Sequence, residues 1–486
     1  MTTHAIGLQG HLPVVIQGGM GVGVSNWRLA RAVSRRGQLG VVSGTALDTL
    51  LVRRLQDGDL GGHVRRAMAA FPMPDVSAAA LRRYFHAEGR GPTQPYKLLP
   101  MYKQTVSVAR QQLTMLANFV EVYLAKEGHD GVVGVNLLTK LQLPNLASLY
   151  GAMMAGVDYV LMGAGIPREI PGALDAFSAN QPTTLRFDVD GLPSGGVATI
   201  MFDPVEHGAD ATQRLTRPLF LAIVAANSLA TNLARKATGR VDGFIVEGPT
   251  AGGHNAPARG EPTLNENGEP IYGERDIVDL AKMRELGRPF WLAGGTGSPE
   301  ALANSHREGA VGIQVGTLFA YCDESGFDEA IKREVLGRAA HGALQVKTDP
   351  RASPTGFPFK VVHWDGDLRD RTPRARVCDL GYLRTPYLKE DRHIGYRCAA
   401  EPVETYVAKG GNAADTEGRL CICNGLMAAI GEPQRRDGVE EPALITSGDD
   451  LLQIGGFLRG RASYSAGDVI DYLTTTSSTG DTSAMT

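Results

Sequence analysis

Between residues 13 and 320 the chain alternates short, unbroken apolar runs with longer stretches whose apolar positions recur at helical spacing. The runs are Val14 to Gln17, Leu39 to Ser43, Val132 to Leu137, Tyr159 to Met162, Leu219 to Val224, Gly243 to Val246, Phe290 to Ala293 and Gly312 to Val315. They are short, continuous and closed by Gly, Asn or Ser, as strands buried on both faces and ending in loops should be. Helices are predicted between them over Asn26 to Arg36, Lys103 to Lys126, Leu143 to Ala155, Ser228 to Thr238, Ile277 to Leu286 and Pro299 to Glu308. Ser298-Pro299-Glu300 has the form of an N-cap, a first-turn proline and an acid facing the positive end of the helix dipole.

Eight strand and helix units over about 300 residues predict an α/β fold of the TIM (β/α)8 type, with its chemistry on loops at the carboxyl ends of the strands. The rival is a doubly wound sheet. Its dinucleotide fingerprint is missing, because the glycines of Gly18 to Gly23 never fall at G-x-G-x-x-G. The barrel is expected to fill residues 1–340, with a helical insertion at about 53–102, either a lid or a decoration, and a hairpin at 181–216. Residues 341–472 read as a C-terminal extension packing on the barrel, and 473–486 as a disordered polar tail.

Charge narrows the function. Forty-nine basic residues face 52 acidic ones, a net of -3, so no electrostatic case for nucleic acid exists. No apolar run approaches the ~20 residues of a membrane span, and the N-terminus lacks the form of a signal or transit peptide. Five cysteines, an odd and sparse number, fit a reducing compartment, so a cytoplasmic location is expected. The four at 378, 398, 421 and 423 lack the paired spacing of structural zinc sites and read as buried free thiols, as does Cys322; no metal is expected.

Two stretches carry candidate chemistry. Glu247-Gly-Pro-Thr-Ala-Gly252-Gly253-His254 follows the sixth strand; its glycines let backbone approach a flat ligand, and His254 brings an imidazole to the barrel mouth. Gly294-Gly295 closes the seventh strand and Gln314-Val315-Gly316-Thr317 the eighth, where such barrels cradle phosphate on backbone N–H groups. A phosphorylated, planar cofactor is the natural ligand.

With Pro13 to Met20, Gly134 to Leu137, Ala251 to His254, and the glycine pairs of the last two strands, residues 13 to about 325 resemble the nitronate monooxygenase (2-nitropropane dioxygenase) family. That family comprises FMN-dependent TIM-barrel oxidoreductases related to flavin enoyl-acyl-carrier-protein reductases. The resemblance implies FMN held by Met20, Asn136, Glu247, Gly252, Gly294, Gly295, Gln314, Val315, Gly316 and Thr317, with His254 as catalytic base. Glu247 stands where relatives resemble one another in having glutamine, and a carboxylate there raises the cost of an anionic reduced ring. The implied reaction is oxidation of small nitronates or nitroalkanes by dioxygen. The alternative is NAD(P)H-dependent reduction of an enoyl thioester. A non-flavin isomerase or aldolase would need a lysine or paired acid and base that the strand ends do not offer together. A fourth reading makes the extension a docking module for a biosynthetic partner, and assembly into a homo-oligomer is compatible with all four.

Overall fold

The computed structural model describes residues 12–261, 263–365 and 374–475. In chain order the first ten strands are β1 (Val15–Gln17), β2 (Gly40–Ser43), β3 (Val133–Leu138), β4 (Tyr159–Gly163), β5 (Thr183–Phe187), β6 (Ala198–Phe202), β7 (Leu219–Val224), β8 (Gly243–Glu247), β9 (Phe290–Ala293) and β10 (Gly312–Val315). Eight of them form one parallel sheet in the order β1-β10-β9-β8-β7-β4-β3-β2. A parallel bridge between Ile16 and Leu39 joins the two ends and closes the barrel. Gln17 reinforces the seam through its backbone N–H, 2.9 Å from the Leu39 carbonyl, and its side-chain oxygen, which accepts from Val41 N–H at 3.0 Å.

Side-chain alternation along these short strands sorts two apolar layers. Ile16, Val41, Leu161, Leu221, Ile245 and Trp291 meet inside the barrel, and the Trp291 indole N–H donates to the Pro13 carbonyl at 2.8 Å. Val42, Val135, Val160, Met162, Phe220 and Phe244 face outward into the layer formed with the helices.

The expected helices form with shifted ends. The one expected from Lys103 begins at Val108 and runs to Lys126, because Ser107 caps it by accepting from Arg110 N–H. Ser298 caps Pro299–Arg307 by accepting from Ala301 N–H at 3.1 Å. Helices Leu47–Gln56, His63–Ala69 and Pro74–Tyr84 pack on Val108–Lys126, and no residue from 53 to 102 lines the main cavity, so this insertion decorates the barrel. β5 and β6 form the antiparallel hairpin, pairing Thr183 with Phe202 and Phe187 with Ala198.

Beyond the barrel, β11 (Gln345–Asp349) pairs with β12 (Phe359–His363). A hairpin of Thr385–Leu388 and Ile394–Arg397 and a helix over Ile422–Ala429 follow. The last helix, Ala466–Thr474, contacts the helices Trp27–Ser34 and Pro299–Arg307. The expected tail from 473 therefore starts too early: Leu473 is buried with Val469 and Ile470 on one helical face, and Ser465 with Asp468 forms a capping box. Residues 476–486 of that expectation lie outside the described residues.

A buried ion pair of the barrel is joined to the extension through Tyr382. Arg110 Nη1 lies 2.6 Å from Asp48 Oδ2, and Thr114 and Tyr382 hydroxyls donate to the same carboxylate. Arg110→Met leaves that carboxylate charged and unpaired in the interior, so a loss of about 3–5 kcal/mol in unfolding free energy is expected. A urea or guanidinium unfolding midpoint equal to wild type would refute it.

Candidate active site

The carboxyl ends of the barrel strands open into one cavity. Glu247 closes β8, paired with Ala293 of β9. The loop after it folds back through Gly248 N–H, which donates to the Ala293 carbonyl at 2.9 Å. Buried Asn255 then pins the loop, its side-chain amide donating to the carbonyls of Pro249 and Ala251 at 3.2 and 3.0 Å. These contacts set His254 in the cavity wall.

Phe359 holds the imidazole from one side, bridging to it through the backbone and packing edge-on at 4.8 Å between ring centroids. His254 Nε2 is 2.7 Å from Ser353 Oγ, which is 2.8 Å from Thr355 Oγ1. Nδ1 has no hydrogen-bond partner among the described residues, and it is the nitrogen left for a ligand. Burial, then the charge of Lys140, pushes the His254 pKa down to about 3, so the ring is neutral at pH 7. Among the described residues Lys140 Nζ has no hydrogen-bond partner; it lies over the Phe357 ring at 3.0 Å and is pushed down to about 7 by burial.

Ser353→Ala removes the group that holds the imidazole at Nε2. About a tenfold loss of turnover is expected, the value of one hydrogen bond, with cofactor affinity unchanged. Steady-state kinetics beside a cofactor titration check this; equal losses in both would mean that Ser353 only supports the fold.

Glu247 lines the same cavity, and its carboxyl makes no hydrogen bond or ion pair among the described residues. Burial alone pushes it up to about 7. On the neighbouring strand end, packed against the Glu247 to His254 loop, Gly294 and Gly295 turn with φ of 88° and 68°, in the region that favours glycine. A Cβ on Gly294 would lie 2.9 Å from the Gly248 carbonyl oxygen. Gly316 opens the turn after the next strand, β10, and buried Gln314 presents a side-chain oxygen with no hydrogen-bond partner among the described residues. Met20, Asn136, Gly252 and Thr317 complete the shared lining, so ten of the sequence candidates, His254 included, meet in one cavity.

Val315 does not. Its side chain is buried in the outer layer with Leu318 and Phe319, and only its carbonyl reaches toward the site, accepting from Gly18 N–H at 2.9 Å. Neighbours on a strand point to opposite faces, so Gln314 facing the cavity sends Val315 away from it.

The extension supplies residues that local patterns did not reveal. Thr446 to Asp450 cross the cavity wall as a strap: Thr446 Oγ1 accepts from Gly253 N–H at 2.9 Å, and Thr317 Oγ1 accepts from Gly448 N–H at 3.1 Å. Asp450 accepts from Gly297 N–H at 3.2 Å, and Tyr382, Leu383, Ile422 and Leu426 give an apolar side. The only sequence signal was a polar glycine turn, Thr446-Ser-Gly-Asp-Asp450, between apolar Ile445 and Leu451.

The sequence profile of the nitronate monooxygenase family matches residues 181–350, the stretch from the β5 hairpin through β11 that holds Glu247, His254 and both glycine turns. The chain carries a nitronate monooxygenase family domain. A nitronate monooxygenase of Paraburkholderia phytofirmans is 28% identical over 170 residues, 35% of this chain and 40% of that protein. A probable nitronate monooxygenase of Staphylococcus haemolyticus is 30% identical over 96 residues, 20% of this chain and 26% of that protein. The matches thus span well under half of these relatives' lengths. Among solved structures, FabK from Thermotoga maritima has 16% identity and a TM-score of 0.46, covering 95% of this chain and 91% of its own. A nitroalkane oxidase from Streptomyces ansochromogenes has 16% identity and a TM-score of 0.45, covering 95% and 94%. Among the described residues no helix is long and apolar enough to cross a membrane.

Proposed function

We propose that the protein is an FMN-dependent oxidoreductase that oxidises nitronates, and nitroalkanes by way of their nitronates, with dioxygen. The observation that carries this reading is a neutral imidazole, His254, held by Ser353 in the wall of a cavity that two glycine turns also line. The residues suit FMN: Gly295, Gly316 and Thr317 would hold its phosphate, and Asn136, Gln314 and Met20 its ring system. The unpaired Gln314 oxygen matches a ring edge that carries an N–H donor. When bound, FMN supplies the transfer of electrons from substrate to dioxygen.

The chain's own part is proton and charge control. A nitro group makes the adjacent C–H acidic, and Nδ1 of a neutral His254 can accept that proton while Nε2–H remains on Ser353 Oγ. The imidazolium and nitronate form together, so the low basicity of the ligand-free ring is offset by the anion created beside it. A preformed nitronate meets a neutral ring in the same place.

Glu247 favours a second reading, reduction of an enoyl thioester with NAD(P)H as electron donor. A carboxyl that holds its proton near neutrality can donate it to a carbanion in the same cavity. Anaerobic mixing separates the two. Bleaching of the flavin by a nitronate but not by NADPH, with oxygen consumption once air is admitted, is the expected result; bleaching by NADPH alone would give the site to the reductase.

A further inference from the structure

The main cavity has one wall that neither the proposed proton transfer nor the proposed cofactor contacts use. Leu138 closes β3, and Leu141 follows in the loop after it. Leu383 comes from the extension, as do Ile422 and Leu426, which stand four positions apart on one face of the helix Ile422–Ala429. All five line the cavity, and they pack in one apolar cluster with Phe359, the ring that rests edge-on against His254. Tyr382 packs on the same cluster; its hydroxyl donates to Asp48 and lies 2.7 Å from Thr49 Oγ1, so that polar group is already satisfied. The wall is therefore apolar, and it begins beside the imidazole.

Charge narrows what can lie on it. Among the described residues no Lys or Arg side chain lines the cavity, and the acids that line it are Glu247 and Asp450. Lys140 stands over the Phe357 ring, and neither of those two residues belongs to the lining. An anionic group on the far end of a substrate would lose its water here with no cation to offset the loss, whereas a hydrocarbon chain gains by leaving water.

The geometry points to an alkyl-chain subsite formed by Leu138 and Leu141 of the barrel with Leu383, Ile422 and Leu426 of the extension, and to a substrate whose chain is apolar and has no charged group of its own. This rests on the proposed reading in one respect, that the reacting head is a nitro group with its α-carbon at His254. A head held at Nδ1 has Phe359 beside it, and a chain on the same carbon meets the cluster that Phe359 joins. The barrel alone supplies only two of the five leucine and isoleucine side chains, so the extension takes part in choosing the substrate.

Calorimetry on the FMN-loaded full chain tests this with primary alkanamides, whose planar, neutral head has the shape of a nitro group and whose α C–H is not acidic. From propanamide to hexanamide the dissociation constant should fall about fourfold per methylene, the value of moving one CH2 out of water. Succinamate, in which a carboxylate replaces the terminal methyl of butanamide, should bind about tenfold more weakly than butanamide, or worse. Leu426→Ala in the extension and Leu138→Ala in the barrel should each reduce the gain to about twofold or less per methylene, and two variants from separate elements guard against a folding defect in one. Equal affinity along the series, succinamate binding as tightly as butanamide, or the full gain per methylene in both variants would each overturn the subsite. No turnover enters the measurement. A flavin that nitronate fails to bleach would remove the proposed reaction and leave a length-dependent series standing, whereas bleaching with a flat series would remove the subsite alone.

Discussion

His254→Ala is expected to cut turnover of nitroalkanes by about 10²- to 10⁴-fold, the usual contribution of a positioned general base, while the protein still takes up FMN. The separation follows from the geometry. His254 is held by Ser353 and Phe359, whereas the glycine turns sit on β9 and β10, so the substitution leaves the proposed phosphate cradle intact. Preformed nitronates should lose less, since no C–H proton has to be removed. Folding should respond as well. The ring binds a proton in the unfolded chain below about pH 6.5 but in the native chain only near pH 3. The unfolded state therefore holds the extra proton in between, and stability due to His254 is present above pH 6.5 and lost as pH falls toward 3. The alanine variant should lose that part of the acid sensitivity. Absorbance of the loaded protein, turnover with both substrate forms, and unfolding from pH 7 to 4 test these points. A colourless variant, or one equally impaired with nitroalkane and nitronate, would remove His254 from the role of base.

Much of the barrel was readable because strands buried on both faces must be short continuous apolar runs, and each of the eight appears as one. The helix starts were readable where a side chain of the right type caps them, as at Ser298. Glu247 and His254 were visible for a similar reason, since strand-end loops in this architecture converge. Val315 marks the limit of motif reading: treating Gln314 to Thr317 as a block ignores the alternation that sends adjacent side chains to opposite faces. Ser353 and Thr446 were hidden for another reason. Ser353 meets His254 across 99 positions of sequence, and Thr446 meets Gly253 across 193. No local periodicity reports contacts that only tertiary packing creates.

Glu247→Gln should raise stability at pH 8 by on the order of 3 kcal/mol relative to wild type, while the two proteins differ little in pH dependence below about pH 4.5. Among the described residues the carboxyl has no partner, so taking it from water disfavours its charged form, and its pKa stands at about 7 against 4.5 in an open chain. Between these values the native state holds a proton that the unfolded state has released. Its contribution is therefore complete below pH 4.5 and lost as pH rises through 7, opposite in sign to that of His254. Glutamine keeps the shape and a hydrogen-bond donor without the titration, so the falling limb should vanish. With FMN bound, the same substitution should remove a pH dependence near 7 from the flavin reduction potential, because no carboxylate then forms beside the ring. Under the reductase reading, loss of this proton should also lower enoyl reduction by about 10²-fold or more. Denaturant midpoints from pH 4 to 8 and potentiometric titration of both proteins provide the measurement. Parallel pH–stability curves for wild type and the glutamine variant would mean that Glu247 is ionised throughout, and that it meets water or a cation instead of the apolar strand end on which this prediction rests.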